Sequence, residues 1–214
     1  MNANQSWFGR DDVTELYFRD WNHLGSCFGS SLVRTKVGPD GLNFSDFETA
    51  IPLIVREKPL SLETELTSEM ADKLPSEGER TVAMLFLSTP QNLREGEELE
   101  KVLSPALVTA LETHASKDVW GLLANIGIVS TVFDVGAYFG GTSMPQYAVV
   151  YKVFMKDSGS VAEVRKAQTM FLETAREHID ARESFIAFGK EGLIMDMGND
   201  IRVRNSTSAG SFAR

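Results

Sequence analysis

The stretch 120–155, WGLLANIGIVSTVFDVGAYFGGTSMPQYAVVYKVFM, decides the fold because it holds two β-rich runs joined by a glycine-rich connection. The second run, Tyr147–Met155, is dense in β-branched and aromatic residues and follows Pro145, so it predicts a strand. The first run, 122–135, is apolar and predicts one long bent strand or two short ones. The glycines between the runs favour a turn, so we expect two antiparallel neighbours.

The chain around this stretch follows one pattern twice. Residues 81–135 and 147–197 each predict a strand, a polar linker, an amphipathic helix and a second strand. In the first half, apolar residues recur every three or four positions over 99–111, which predicts a helix. Pro105 either kinks this helix or begins a second piece of it.

In the second half, Ser160 and Glu163 form a capping box that predicts a helix ending near His178. Two strands, over 185–188 and 193–197, follow it around a turn. The resulting βαββαβ order predicts an α+β fold built on a ferredoxin-like unit, with two helices on one face of an antiparallel sheet.

The strands are too apolar on both sides for the opposite face to be wet, so we expect the N-terminal extension, a second subunit, or both to cover it. We therefore predict a homo-oligomer, most simply a homodimer. The predicted organisation is an α-rich N-terminal extension over 1–79, a ferredoxin-like α+β domain over 80–200 and a flexible tail over 201–214. The elements predicted in the extension are a helix over 13–22 ended by Gly25, a short strand over 32–37, a turn over 38–41 and a helix over 62–74.

This order of elements over 81–197 resembles the dimeric α+β barrel superfamily. In that superfamily, two such sheets pack face to face around pockets that serve cofactor-independent monooxygenases, polyketide cyclases and some haem enzymes. The resemblance rests on the order of elements, and no family motif transfers residue by residue to this chain.

Composition narrows the classes of partner. The formal net charge of −9 disfavours nucleic acid, because its phosphates would be repelled by most of the surface. A single cysteine excludes an internal disulfide framework and a cysteine-based zinc site. The opening MNANQSWFGRDD lacks the regions of a signal peptide, and apolar stretches stay below the roughly 18 residues of a membrane span. These features predict a cytoplasmic protein without a membrane partner.

Cys27 lies in GSCFG, which has the G-x-nucleophile-x-G spacing of a nucleophile elbow. An elbow follows a buried strand, whereas this motif follows a predicted helix near the start of the chain. A small buried thiol is therefore a more common interpretation of Cys27 than a nucleophile. We expect this residue to contact the substrate. No glycine-rich loop in the chain has the spacing of a phosphate-binding or dinucleotide-binding motif.

The three histidines are the first candidates for acid–base chemistry at neutral pH. His114 and His178 fall at the ends of predicted helices, where a cation interacts favourably with the helix dipole, so a capping role is expected there. His23 lies in an aromatic-rich stretch beside Trp21 and is the candidate catalytic histidine. None of the three is spaced as a metal ligand, and we expect no metal site.

Asp134 interrupts an apolar run, so it either points into a pocket or already lies in the turn and faces water. Tyr138 and Tyr147 follow closely, and a phenol beside a carboxylate would orient a polar ligand group in an apolar cavity. Ordinary core tyrosines are the alternative. Phe139 and Met144 belong to the glycine-rich loop 136–145, which we expect to border the pocket as a mobile lid.

The leading functional hypothesis is an enzyme that binds a small, largely apolar or aromatic molecule between the sheet and the extension. Its chemistry would be of an acid–base type, as in an oxygenase, cyclase, isomerase or lyase, with His23, Asp134 and Tyr138 as catalytic residues. Trp21, Cys27, Phe139, Met144 and Tyr147 would contact the substrate. No motif requires a cofactor, and flavin and haem both stay open. The alternatives are a ligand-sensing or protein-interaction module, or the substrate-side domain of a larger flavoenzyme-like assembly.

Overall fold

The computed structural model describes residues 12–41, 43, 50–70, 80–89, 96–128, 134, 138 and 147–192, and the backbone of 195–196 and 201–202; the side chains of 68–70 fall outside this description. In chain order, the elements are α1 (Trp21–Gly29), a π-helical turn (Val33–Val37), α2 (Gly38–Gly41), β1 (Val55–Leu60), α3 (Glu65–Met70), β2 (Thr81–Ser88), α4 (Gly96–His114), β3 (Val119–Gly127), β4 (Tyr147–Met155), a 3₁₀ turn (Ser158–Ser160), α5 (Val161–Thr174), β5 (Phe185–Lys190), β6 (Met195–Asp196) and β7 (Ile201–Arg202).

Five of the strands form one antiparallel sheet in the order β1-β3-β4-β2-β5. β4 is central, and its Tyr151 lies opposite Ala124 on β3 and opposite Leu85 on β2. β6 and β7 pair with each other in a separate two-stranded ribbon. The predicted α+β class is therefore confirmed.

Helices α4 and α5 cover one face of this sheet. The alternating side chains of the strands that point to the helices are apolar and fully buried, as period-two patterning requires. Apolar residues at three- and four-residue spacing on the two helices meet them. The main members of this core are Leu85, Val149, Tyr151 and Val153 on the strands, Leu99, Leu103, Leu107 and Leu111 on α4, and Val164, Ala167 and Phe171 on α5.

The opposite face of the sheet, which we call the second face, carries Met84, Asn125, Val150, Lys152 and Phe154. All five side chains are buried. Part of the cover comes from the chain before β1, where residues 51 and 53 pack against a small apolar cluster on this face.

The N-terminal segment, residues 12–41, also contacts the second face. Glu15 bonds to Lys152, and the Tyr17 hydroxyl donates to Glu57 on β1 over 3.2 Å. Among the described residues, no backbone hydrogen bond joins residues 12–18 to the sheet. The segment is therefore attached here by side chains and adds no strand to the sheet.

The structure confirms several elements expected from sequence. The strand over Tyr147–Met155 is β4, and its predicted antiparallel neighbour is β3, which begins at Val119. Much of the predicted extension of that run to residue 135 lies outside the described residues. The predicted helix over 99–111 is α4, and Pro105 lies within one continuous helix.

The predicted helix over 13–22 is wrong. Residues 12–18 have no regular structure, and α1 begins at Trp21 because the Asp20 carboxylate accepts the His23 amide over 2.7 Å. The helix also continues through Gly25, where open space surrounds the α-carbon. The short strand predicted over 32–37 is wrong as well, because those residues are helical, and the turn over 38–41 is a single helical turn.

Strand β1 was not predicted from the sequence. Pro59 lies inside this strand, which is possible because β1 is at the edge of the sheet, where the missing amide breaks no essential ladder. The described part of the helix predicted over 62–74 is α3, which begins only at Glu65. The region expected to be α-rich thus contributes a strand to the sheet.

Two details of the second half differ from expectation. Ser160 precedes α5, but its hydroxyl makes no capping hydrogen bond, and Asp157 instead accepts the Gly159 amide over 2.7 Å. The helix ends at Thr174, a turn earlier than predicted. The strand after it is β5, as expected, whereas the described part of the last predicted strand pairs with β7 and not with the main sheet.

Candidate functional site

The most polar buried group of the second face is the ammonium of Lys152. It lies on the central strand β4, and its side chain is only 3% exposed. The Glu15 carboxylate from the N-terminal segment accepts from its Nζ over 2.5 Å, and Glu191, just after β5, accepts over 2.8 Å. We call these three residues the Lys152 cluster. An ammonium buried so deeply needs carboxylates beside it, because its unpaired burial is highly unfavourable.

The cluster fixes the protonation state of Lys152. Burial alone would lower the pKa of this amine, but the hydrogen bonds to Glu15 and Glu191 outweigh burial and raise the pKa above its ordinary value. The amine is therefore a cation at neutral pH. It can bind and orient an anion, but it is not a nucleophile that forms a Schiff base, since that reaction needs the neutral amine.

One aromatic ring lies beside this cation on the same face, and a second ring stacks on the first. Phe154 lies two residues further along β4, with its ring centre 5.5 Å from the Lys152 Nζ. The Trp120 ring stacks on Phe154 with 4.8 Å between centroids, and the Arg80 guanidinium lies 5.4 Å from the Phe154 ring. A charged group inside an aromatic wall combines a polar anchor with apolar contact area.

Asn125 on β3 brings a second polar group to the second face. It lies opposite Val150 on one side and opposite Glu57 on the other, and Leu123, two residues earlier on β3, lies opposite Lys152. Asn125 is therefore a diagonal neighbour of Lys152, about 7–8 Å away. Its side chain is buried, and its amide nitrogen Nδ2 has no hydrogen-bond partner among the residues that the structure describes. A buried unpartnered donor is unfavourable unless something binds it.

Three residues predicted to be functional lie on α1. His23 is half-buried, and its Nδ1 accepts the Arg19 amide over 3.3 Å, so the neutral imidazole carries its proton on Nε2. Trp21 is exposed at the start of the helix. Cys27 is a half-buried free thiol in the interior of α1 and not at a strand-to-helix turn, so the elbow geometry is absent at this position.

A series of ring contacts connects His23 to Tyr138, two of the residues predicted to be catalytic. The Phe18 ring packs 5.7 Å from His23 and 5.8 Å from Phe28, and Phe28 packs edge-on against Tyr138 at 5.1 Å. The Tyr138 amide donates to the backbone oxygen of Asp134 over 3.1 Å, and the Asp134 residue is exposed. This exposure agrees with the alternative in which Asp134 faces water.

Tyr147 lies apart from these residues. It is buried at the start of β4, where its hydroxyl donates to the Glu183 carbonyl over 3.0 Å and its ring packs against Phe86. These contacts are those of a core tyrosine. Phe139 and Met144, and with them most of the proposed lid 136–145, lie outside the described residues.

Sequence reasoning missed Lys152, although the signal was present. YAVVYKVFM places one lysine in the centre of an otherwise apolar strand. A lysine there must be buried if both faces of the sheet are covered, so it must have carboxylate partners. The identity of those partners, Glu15 and Glu191, follows only from tertiary structure because they lie 137 and 39 residues away in sequence.

Two further features complete the description. A groove of about 260 Å³ is lined by Glu65, Leu66, Lys117 and Lys156, and neither His23 nor Asp134 lines it. Across the described ranges, no group of three or more His, Cys, Asp or Glu side chains is placed to hold a metal ion. Within those same ranges, no helix is long and apolar enough to cross a membrane.

Comparisons with known proteins identify no relative. No protein-family model matches the chain, and no curated protein or solved structure matches it. The contacts of the Lys152 cluster and of the residues around it are therefore the basis for a function.

Proposed function

We propose that this chain is an enzyme that binds a small, largely apolar or aromatic molecule between the second face and the N-terminal segment. The observation that carries the proposal is the Lys152 cluster, a buried cation held within an aromatic wall by a carboxylate of that segment. Small-molecule sites commonly combine apolar walls with a few convergent polar groups. Asn125, with its unpartnered amide, supplies a second such group.

The proposed chemistry is proton transfer, of the kind used by oxygenases, cyclases, isomerases and lyases. His23 is the proposed acid–base group, because it lies on the N-terminal segment eight residues after Glu15 and its imidazole is oriented by the Arg19 amide. Tyr138 and Asp134 are the proposed partners of His23, which is joined to Tyr138 through Phe18 and Phe28. The absorption spectrum of the purified protein tests whether flavin or haem takes part.

We also propose a specific fold, the ferredoxin-like unit. Its support is that β2, α4, β3, β4, α5 and β5 follow one another as βαββαβ, and that these four strands lie in the order β3-β4-β2-β5. Dimeric α+β barrels place a second sheet over the face opposite the helices. Here part of that position is taken by the chain's own N-terminal segment.

The binding proposal is tested with 2-naphthamide, a neutral aromatic probe, by calorimetric titration of the full chain. A Cβ added at Gly121 would lie 3.0 Å from the Phe154 ring, so Gly121→Ala must shift that ring by a few tenths of an ångström. We expect the variant to lose about tenfold in affinity, because Phe154 forms the wall beside Lys152.

Gly189→Ala is the matched control. Gly189 lies in the same cross-strand row of the sheet, opposite Val82, and a Cβ there would meet nothing within 4 Å. Its affinity should stay within about twofold of the original chain. Unchanged affinity in Gly121→Ala, or no binding of the probe to the original chain, would contradict the proposal.

A second candidate function is a protein-interaction module that forms a homodimer. It is favoured by the N-terminal segment, in which several large apolar side chains are exposed. These are Val13, Leu16, Tyr17, Trp21, Leu32 and Val37. Exposed apolar groups concentrated in one segment are typical of a contact surface.

A further inference from the structure

Glu15 is the only member of the Lys152 cluster that comes from outside the main sheet. Glu191 follows β5 directly, and its amide donates to the Arg80 carbonyl over 2.8 Å, which fixes it at the edge of the sheet. Glu15 belongs to residues 12–18, which make no backbone hydrogen bond to the described part of the sheet. The Glu15 carboxylate can therefore leave Lys152 without breaking any strand pairing.

Little apolar burial holds Glu15 in place. Its neighbours Leu16 and Tyr17 are 63% and 68% exposed, so their release from the protein would uncover little additional apolar surface. The remaining described contact between residues 12–18 and the sheet is the hydrogen bond from the Tyr17 hydroxyl to Glu57, at 3.2 Å and exposed to solvent. The segment is thus positioned mainly by polar contacts, of which the one to Lys152 is the most buried.

The ammonium left behind would need another anion. Lys152 is a cation in the folded chain, and a single remaining carboxylate, Glu191, is shared with Arg80 at 3.7 Å. If a ligand carboxylate replaces the Glu15 carboxylate, the charge around the ammonium stays the same. A neutral ligand would leave the ammonium without one of its two carboxylate partners. The Nδ2 of Asn125, the diagonal neighbour of Lys152, adds a donor to which no described residue offers an acceptor.

We propose that the ligand of this site is an apolar or aromatic carboxylate, and that Glu15 occupies the position of its carboxylate group when the ligand is absent. The ligand carboxylate accepts from Lys152 Nζ and Asn125 Nδ2, and its apolar part lies against Phe154 and Val150. This inference rests on the proposed function and names the substrate class. Glu15 then acts as an internal competitor, whose high effective concentration weakens ligand binding.

The test compares 2-naphthoate with 2-naphthamide, two probes of the same shape that differ in charge, by calorimetric titration of the full chain. We expect 2-naphthoate to bind at least about tenfold more tightly than 2-naphthamide. Glu15→Gln should tighten the binding of 2-naphthoate about three- to tenfold and leave 2-naphthamide unchanged, because the competing charge is removed. Glu163→Gln, which removes a carboxylate from the surface of α5, is the matched control and should change neither affinity.

A second variant keeps the test decisive if changes to the ion pairs disturb folding. Asn125→Leu conserves side-chain size and removes the unpartnered Nδ2, so the chain should stay folded and lose about threefold or more in affinity for 2-naphthoate only.

The outcomes separate the two proposals. Equal affinities for the two probes, or no effect of Glu15→Gln, would overturn the carboxylate inference and leave the proposed binding site standing. Failure of both probes to bind would overturn the proposed function and the inference together.

Discussion

Ser104 on α4 joins two buried polar side chains of the helix-covered core. Its hydroxyl donates to the Glu100 carboxylate over 2.6 Å and lies 2.9 Å from the Tyr151 hydroxyl, which must then be the donor in that pair. Lys58 on β1 completes the network with a 2.9 Å bond to Glu100. Burial alone would raise the pKa of Glu100, but the bonds from Ser104 and Lys58 outweigh it and hold that pKa below its ordinary value.

Removing the Ser104 hydroxyl should therefore destabilise the chain. Ser104→Ala leaves the Tyr151 hydroxyl and one Glu100 oxygen without their partner, which we expect to lower the free energy of unfolding by about 1–3 kcal/mol at pH 7. The sign of the pH dependence follows from the lowered pKa, because such a group stabilises the fold above its unfolded pKa and loses this contribution as pH falls. Chemical denaturation at pH 7 and below pH 4 should show a smaller acid-induced loss in the variant.

Thr113→Ala is the control for this prediction. Unlike the Ser104 hydroxyl, the Thr113 hydroxyl has no described partner in the core, and it donates to the Thr109 carbonyl on the exposed surface of α4. We expect a change within about 0.5 kcal/mol. Equal stability losses in the two variants would show that the buried network contributes nothing specific.

Local sequence patterns predicted the central strands and α4 correctly. The reason is that the apolar residues which these patterns place on one face of each element are the residues that the core buries. Alternate residues of β4, Val149, Tyr151 and Val153, belong to the core under the helices. The apolar positions of α4, Leu99, Leu103 and Leu107, belong to the same core. For these elements, propensity and tertiary packing favour the same structure.

The N-terminal segment shows why local pattern failed elsewhere. Asp12 and Glu15 have the spacing of a capping box, but the Glu15 carboxylate binds Lys152 on β4, so the box never forms. Asp20, which does cap α1, is followed three residues later by His23 and not by Glu or Gln, so it forms no capping box in the sequence. The ion pair between Glu15 and the distant Lys152 thus competes with the local capping signal. A pattern of neighbouring residues cannot reveal such a pair.

The N-terminal segment is also the basis of a prediction about the oligomeric state of the chain. We expect the chain to self-associate through its exposed apolar side chains, so sedimentation at micromolar concentration should give about twice the 23.6 kDa chain mass. Leu32→Glu should shift the equilibrium toward the single chain, because Leu32 is 65% exposed and a charge there would be buried on association.

Val102→Glu is the matched control, since Val102 is an exposed apolar residue of α4. It should sediment like the original chain. A clean 23.6 kDa species for the original chain at that concentration would remove the interaction module from consideration.

At the scale of the whole molecule, the two faces of the sheet differ in kind. The face under α4 and α5 is a mainly apolar core that contains the Ser104 network, whereas the second face combines aromatic rings with a buried cation and an amide without a described partner. Sequence predicted that both faces would be covered, from the apolar strands alone. The sequence pattern pointed to a site near His23 and Asp134. It did not reveal the Lys152 cluster, because the charged residues of that cluster come from distant parts of the chain.

Intermolecular nuclear Overhauser effects between 2-naphthamide and the isotope-labelled full chain test most directly where the ligand binds. If the ligand lies between the second face and the N-terminal segment, the probe should show contacts with Val150, Phe154 and Tyr17 together. Contacts confined to Val102 on α4 or to Leu66 in the groove near Lys117 would contradict the account.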